Sequence, residues 1–322
     1  MQVLVTGGAG FIGSHIVNYH LNKNDEVHVI DDLSTGSLQN INPFQDNPNF
    51  SFTKDNLLTC NELQNIVNKA DRIYHMAAVV GVLKVMEDGV NLLSTNITAT
   101  ERLLKLSSLS KRNPRILLAS SSEVYGGEYD IPLKETYNMV IGGRRRGCSS
   151  YIISKAAVEA LGSAYYHKFG LEVISLRLFN TIGPRQRGHY GMVVPRLIKA
   201  AINNAPIVVY GTGEQTRSFS DVRDVVELID ILAGKNEAVG QVFNVGIDEE
   251  VSINELAELL KKLANSDSLI EHITYKEAYG EDFEDTMFRR PDLTKILDLT
   301  DYKYKWNLAT TLTDLINNFQ SI

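Results

Sequence analysis

The chain reads as an α/β protein, a doubly wound parallel sheet carrying a second, smaller C-terminal part. Three observations predict this. A glycine-rich turn joins a short apolar run at the start of the chain to a helical pattern. Short apolar runs and helix-spaced segments then alternate through the first half, as they do in doubly wound sheets. From Asn180 onward, Pro184, Pro195 and Pro206, with Gly183, Gly188, Gly191, Gly211 and Gly213, break the elements up.

The first element is the apolar run Val3 to Val5, a buried strand. Glycines follow at Gly7, Gly10 and Gly13, with Phe11 and Ile12 between the last two, and Ser14 to Leu21 reads as a helix. Strand, tight turn and helix N-terminus together make a cradle for a dinucleotide pyrophosphate. Gly7 allows the sharp turn, Gly10 the approach of backbone N–H groups, and Gly13 the close packing of helix on strand. An ordinary glycine loop would share this pattern, so its surroundings must support it. They do: Glu26 to Ile30 reads as a second strand, ending at Asp31 and Asp32. A carboxylate at that tip, about twenty residues past the glycines, suits the adenosine ribose hydroxyls and repels a 2′-phosphate. Leu33 to Ser37, which includes Ser34, offers no Lys or Arg to receive one. The expected cofactor is NAD rather than NADP.

Asp71 to His75, Arg115 to Ser120 and Leu171 to Leu178 read as further strands. Glu101 to Leu109, Lys155 to Tyr166, Val222 to Leu232 and Ile253 to Leu263 read as helices. Residues 1–178 are the expected NAD-binding Rossmann domain, with 214–246 returning to it, the stretch Gln241 to Gly246 as part of the sheet. Residues 179–213 and 247–322 are the expected substrate-binding domain, laid over the C-terminal edge of the sheet, where ligands bind in such folds.

Bulk properties set bounds on function. The chain has 322 residues, 43% apolar and 22% charged, with a net charge of −7. That charge gives no support for nucleic-acid binding. No apolar run approaches a membrane span. The chain opens on a core strand, so no cleavable signal peptide is expected. Cys60 and Cys148 make neither metal-ligand spacing nor a disulfide framework, which points to a reducing cytoplasm. The seven histidines are scattered, and no metal is expected.

Tyr151 and Lys155 stand four apart. On a helix they share one face. An ammonium beside a phenol is expected to lower the phenol's pKa. A phenolate can then take a hydroxyl proton while a nicotinamide takes hydride from the same carbon. The segment Ala119 to Gly126 follows a strand, and hydroxyls there can meet a sugar oxygen, although Ser120 reads equally as a turn residue. Glu123 is either an acid/base or a partner for a helix end or an arginine. Met139 to Ser150, with Arg144, Arg145 and Arg146, is either a solvated charge run or a lid bringing positive charge to an anionic substrate.

With these residues in view, the chain resembles the extended short-chain dehydrogenase/reductases of the NAD-dependent nucleotide-sugar epimerase/dehydratase family. The resemblance rests on Thr6 to Gly13, Asp31 to Gly36, His75 to Ala78, Ser120 to Gly126, and Tyr151 with Lys155. It continues through Arg177 to Gln186, Val209 to Arg217, and Arg289 to Asp292. It implies Tyr151 as base, Lys155 on the nicotinamide ribose, and Ser121, Ser122 and Glu123 at the reacting sugar. Asn56, Leu57, Ala77, Ala78 and Asn96 would serve the cofactor. Asp55 stands one position off the family's usual acid at the adenine. Lys84, Asn180, Tyr210, Arg217 and Arg289 would grip a UDP-sugar, guanidinium groups suiting phosphate through paired donors.

The family shares oxidation of the sugar at C4. Ser122-Glu123 lacks the Asp of the hexose dehydratases. Together with Arg289-Arg290-Pro291-Asp292 it most resembles UDP-glucuronate decarboxylases, with UDP-hexose 4-epimerases and N-acetylhexosamine or hexose dehydratases as alternatives. The arginine loop before Tyr151 fits none of these patterns. A non-enzymatic NAD sensor is the rival from another class. A homodimer through the helices after Asn96 and from Tyr151 is expected, although Leu103, Leu104 and Leu106 suit an intramolecular core equally.

Overall fold

The structure is a computed structural model, and it describes residues 1–80, 88–126, 130–141, 149–186, 188, 192–280 and 286–320. Its centre is a sheet of seven strands, β1 Gln2–Thr6, β2 Glu26–Ile30, β3 Phe50–Thr53, β4 Arg72–His75, β5 Arg115–Ser121, β6 Val173–Leu178 and β7 Val242–Val245. Their order across the sheet is β7-β6-β5-β4-β1-β2-β3, and every pairing is parallel. The order reverses between β1 and β4. In doubly wound sheets the crevice at that reversal, beyond the C-terminal strand ends, is where ligands bind.

Both faces of the sheet are covered, and for that reason the strands read as nearly continuous apolar runs. Successive side chains point to opposite faces. Val3 and Val5 pack into one cluster with α1 (Phe11–Asn22) and the later helix Val222–Ala233. Leu4 packs into the other with the helices Leu63–Val67, Gly89–Ser108 and Ser149–Phe169.

The strands from the sequence are found where expected, including Val242–Val245 beside β6. Helix starts are less well read. α1 begins at Phe11 rather than Ser14, and the helix expected from Glu101 begins at Gly89. Its first three turns are largely polar, and its start is marked by the Asp88 carboxylate accepting from Asn91 N at 3.0 Å. The helix carrying Tyr151 begins at Ser149, six residues before Lys155.

A third cluster joins Val194, Leu197 and Ile198 to Ile207, Val209, Leu256, Leu260 and Leu312. It is built around the helices Val193–Ile202 and Ile253–Leu263 and the parallel pair Ile207–Tyr210 with Ile270–Ile273. Leu293, Ile296 and Tyr302 return to the first cluster on the sheet, so the 247–322 stretch does not stay with the third cluster throughout. Among the described residues no helix is long and apolar enough to cross a membrane.

Candidate active site

One cleft of about 570 Å³ runs from the glycine turn across the C-terminal strand ends to the third cluster. Every residue singled out from the sequence lines it, except Lys84, which falls outside the described residues, as do residues 142–148 of the arginine loop.

At the end of the cleft formed by the glycine turn, the backbone is held tightly. Gly7 has φ +71°, and a Cβ there would lie 2.6 Å from Ala77 N. A Cβ on Gly13 would lie 2.2 Å from the Gly7 carbonyl oxygen. These contacts leave the loop and helix no room for a side chain, which is the close approach a pyrophosphate cradle requires. Asp31 braces the loop: its carboxylate accepts from Ala9 N at 3.0 Å and from Leu33 N at 2.8 Å. Burial pushes its pKa up against those two bonds. Asp32 differs. Burial opposes its ionisation, but hydrogen bonds from Ser34 and from Asn56 Nδ2, the latter at 2.7 Å, hold its carboxyl below the usual range. Asp55, the doubtful neighbour, also lines the cleft and accepts from Asn56 N at 2.7 Å.

Asn96 is buried between elements. Its Oδ1 accepts from Val79 N at 2.7 Å, while its Nδ2 donates to Val79 O and to Ser154 Oγ, each at 3.2 Å. It therefore ties the loop after β4 to the helix that carries Tyr151 and Lys155. Beneath the turn His75 is buried between Thr6 Oγ1 at 2.7 Å and Thr100 Oγ1 at 3.0 Å.

Tyr151 and Lys155 share one helix face above Ala119 to Ser121. Lys155 Nζ donates to Ala119 O at 2.7 Å and lies 5.8 Å from the Tyr151 ring centre. The expected effect of the ammonium on the phenol is not what the structure shows. Burial pushes the Tyr151 pKa up to about 12, against a hydrogen bond with Ser121; Glu123 adds to the rise and Arg289 opposes it. Burial also pulls the Lys155 pKa down to about 8, with Glu159 opposing. Desolvation is the largest cause of both shifts, and the charges that act on Tyr151 are those of Glu123 and Arg289 rather than the Lys155 ammonium, which is turned to the Ala119 carbonyl.

Farther along the cleft, Arg289 Nη1 donates to Glu123 Oε1 at 2.5 Å, across 166 residues of sequence. The Ser121 hydroxyl accepts from Glu123 N at 3.2 Å, which fixes the short turn that presents the acid. Arg217 is buried on the strand Thr216–Ser218 and donates to Thr216 O at 2.7 Å. Arg196 stacks on Tyr210 with its guanidinium carbon 4.0 Å from the ring centre, and Tyr279 meets Tyr210 edge-on at 5.3 Å.

Arg185, Arg196, Tyr275 and Tyr279 line the cleft and were not singled out. Arg185 lies within the Arg177 to Gln186 stretch, and its Nη1 donates to Ser14 O at 2.9 Å, linking this segment to α1. Tyr275 and Tyr279 sit on a five-residue helix. Its Thr274–Glu277 capping box was the one signal the sequence carried for it.

Comparison with known proteins agrees with this geometry. The family model described as GDP-mannose 4,6 dehydratase matches residues 4–315. A UDP-N-acetyl-alpha-D-glucosaminuronate decarboxylase of Bacillus cytotoxicus is 33% identical over 323 residues, covering 100% of this chain and 98% of its own. UDP-glucuronic acid decarboxylase 1 of Arabidopsis thaliana is 35% identical over 324 residues, covering 100% of this chain and 70% of its own. The crystal structure of a UDP-glucuronic acid 4-epimerase from Bacillus cereus, in complex with UDP-glucuronic acid and NAD, superposes with a TM-score of 0.89. It shares 27% identity and covers 100% of this chain and 99% of its own. The resemblance carried by the motifs thus extends over nearly the whole length, and the chain belongs to the GDP-mannose 4,6 dehydratase family of extended short-chain dehydrogenase/reductase enzymes.

Proposed function

We propose that this protein is an NAD-dependent enzyme that decarboxylates a UDP-uronate sugar through a transient 4-keto intermediate. The observation that carries the reading is a single cleft with Tyr151 and Lys155 beside the glycine turn and the Glu123–Arg289 pair at the substrate side. Relatives named as decarboxylases of such sugars, one matched over 98% of its length and one over 70%, support it.

Bound NAD supplies a reversible hydride acceptor and a positive charge beside Tyr151. Gly7, Gly10, Phe11, Ile12 and Gly13 hold its pyrophosphate, with Asp31 and Asp32 toward the adenosine ribose and Ala77, Ala78 and Asn96 along its length. Tyr151 takes the C4 hydroxyl proton as hydride leaves C4, and Ser121 holds the oxygen that becomes the carbonyl. Lys155 orients the nicotinamide ribose. The sugar is now a β-keto acid. The C5–C6 bond breaks, CO₂ departs, and its electron pair forms the enolate of the 4-ketone. Arg289 orients the carboxylate before it leaves, and Glu123 and Ser122 serve protonation at C5. Hydride then returns to C4, and Tyr151 returns its proton to the C4 oxygen. Asn180, Tyr210 and Arg217 hold the nucleotide diphosphate, with Lys84 as a further cation.

A second reading is 4-epimerisation of a UDP-uronate, favoured by the backbone match to the epimerase. It uses the same oxidation but returns hydride to the other face with the carboxylate retained. We assign the protein to a soluble compartment and to a homodimer on the same footing. Products followed by mass decide between the reactions. UDP-glucuronate losing CO₂ supports decarboxylation, and a new isomer of unchanged mass supports epimerisation. Loss of water from UDP-glucose or UDP-N-acetylglucosamine would make the protein a dehydratase. Glu123→Gln is expected to abolish decarboxylation while sparing epimerisation. Decarboxylation by that variant at the native rate would remove Glu123 from the chemistry.

A further inference from the structure

Behind the cleft lies a buried group of charges that the reaction does not consume. Glu159 follows Lys155 by four residues, so the two share a helix face. Its carboxylate is clamped on two sides. Arg177, on β6, donates from Nε to Oε1 at 3.0 Å and from Nη2 to Oε2 at 2.9 Å. Ser120, on β5, donates from Oγ to Oε1 at 2.5 Å. Glu159 and Arg177 are 5% and 3% exposed, so water screens neither. Arg177 also stacks on Tyr125, 4.7 Å from its ring centre, and donates to Glu135 O.

Ser120 is the residue after Ala119, whose carbonyl accepts from Lys155 Nζ. The same stretch of β5 therefore holds both members of the Lys155–Glu159 pair. Two buried cations stand near this carboxylate: Arg177 is bonded to it, and Lys155, bonded instead to Ala119 O, feels its charge without contact. A buried ammonium without a counter-charge loses its proton.

We propose that Glu159 is a positioning residue that keeps Lys155 charged and fixed over Ala119, and so sets the pH range over which the cofactor is held and the reaction runs. Among the described residues, four groups interact with Lys155. Tyr151 and Glu159 come from its own helix, the Ala119 carbonyl from β5, and His75 from β4. His75 is held neutral by burial and by the Lys155 charge. Glu159 is thus the acid whose charge opposes the pull of burial on the Lys155 proton.

The proposal rests on the assignment of Lys155 to the nicotinamide ribose, and its test reads cofactor binding separately from turnover. NADH is titrated by fluorescence from pH 6 to 9 with the native protein, Glu159→Gln, Lys155→Met and the double variant. Glu159→Gln keeps the shape and one acceptor for Arg177, loses the second bond of that pair, and removes the charge. Its alkaline fall in NADH affinity is expected at least one pH unit below that of the native protein, with the kcat profile moved alike. In Lys155→Met the pH dependence is expected to vanish, and adding Glu159→Gln should then cause no further change.

A folded Glu159→Gln whose pH profile overlays the native one would overturn the proposal, leaving Glu159 as packing for Arg177 alone. Equal effects of Glu159→Gln with and without Lys155 would do the same. Should Glu159→Gln fail to fold with Arg177 unpaired, Glu159→Gln with Arg177→Met removes both buried charges. A downward shift of the same sign is then expected, and its absence refutes the proposal. A native protein that binds NADH but converts no UDP-sugar would refute the proposed function while leaving this test intact.

Discussion

Replacing Gly13 by alanine tests the cofactor cradle at its tightest point. The new methyl carbon would stand 2.2 Å from the Gly7 carbonyl oxygen and 2.9 Å from both the Gly7 carbonyl carbon and the Gly8 Cα. Ordinary contact begins at 3.4 Å, so helix and loop must part by about 1 Å. The obstructing atoms are backbone, and no side chain can rotate to relieve them. Such overpacking costs about 1–3 kcal/mol. The displaced atoms are those proposed to surround the pyrophosphate, so the cost is expected largely in cofactor affinity. At ~1.4 kcal/mol per tenfold, NADH should bind roughly 5- to 150-fold more weakly. Fluorescence titration of NADH, paired with urea unfolding, measures both halves of the cost. Gly170→Ala is the control. Gly170 also has positive φ, at +68°, but nothing lies within 4 Å of the added carbon. It should lose about 1–2 kcal/mol of stability from backbone strain and no NADH affinity. Native affinity and native stability in Gly13→Ala would refute the cradle as the cofactor site.

Two further outcomes follow from the buried ionisable groups. Tyr151→Phe removes the proposed base while leaving the ring in place, and kcat should fall by roughly 10²–10⁴-fold with NADH affinity nearly unchanged; an undiminished kcat in steady-state assays would contradict the role. Burial takes the His75 pKa down to about 3, with the Lys155 charge adding to the shift, whereas in the unfolded chain it sits near ~6.5. Between those values the unfolded chain binds a proton that the folded chain refuses. Stability should therefore fall as pH drops from about 6.5 toward 3, by up to ~1.4 kcal/mol per pH unit from this group, with no contribution above that window. Urea unfolding at several pH values, repeated with His75→Gln, should show the slope reduced by one proton; an identical slope would mean that His75 does not titrate with unfolding.

The amino-acid sequence by itself determined six of the seven strands of the sheet, all but Phe50–Thr53, and the position of its glycine turn. Strands buried on both faces are largely apolar, so Val3 to Val5, and Val27, Val29 and Ile30 within Glu26 to Ile30, stand out as short apolar runs. Gly7 and Gly13 are legible for a related reason, since only glycine tolerates what the backbone does there. The helix from Gly89 was read twelve residues short because three of the four residues its opening turns bury, Asn96, Ala99 and Thr100, are polar or small, so apolar spacing does not mark that face. The tertiary structure alone decided the rest of the site. Arg289 meets Glu123 across 166 residues, and Arg185 reaches Ser14 from the far part of the chain. Neither partner is encoded by local spacing. The sign of the Tyr151 shift was also beyond the sequence. Spacing showed a cation one turn away, but the balance between that cation and lost hydration depends on how deeply both groups are buried, and only the packed chain determines that depth.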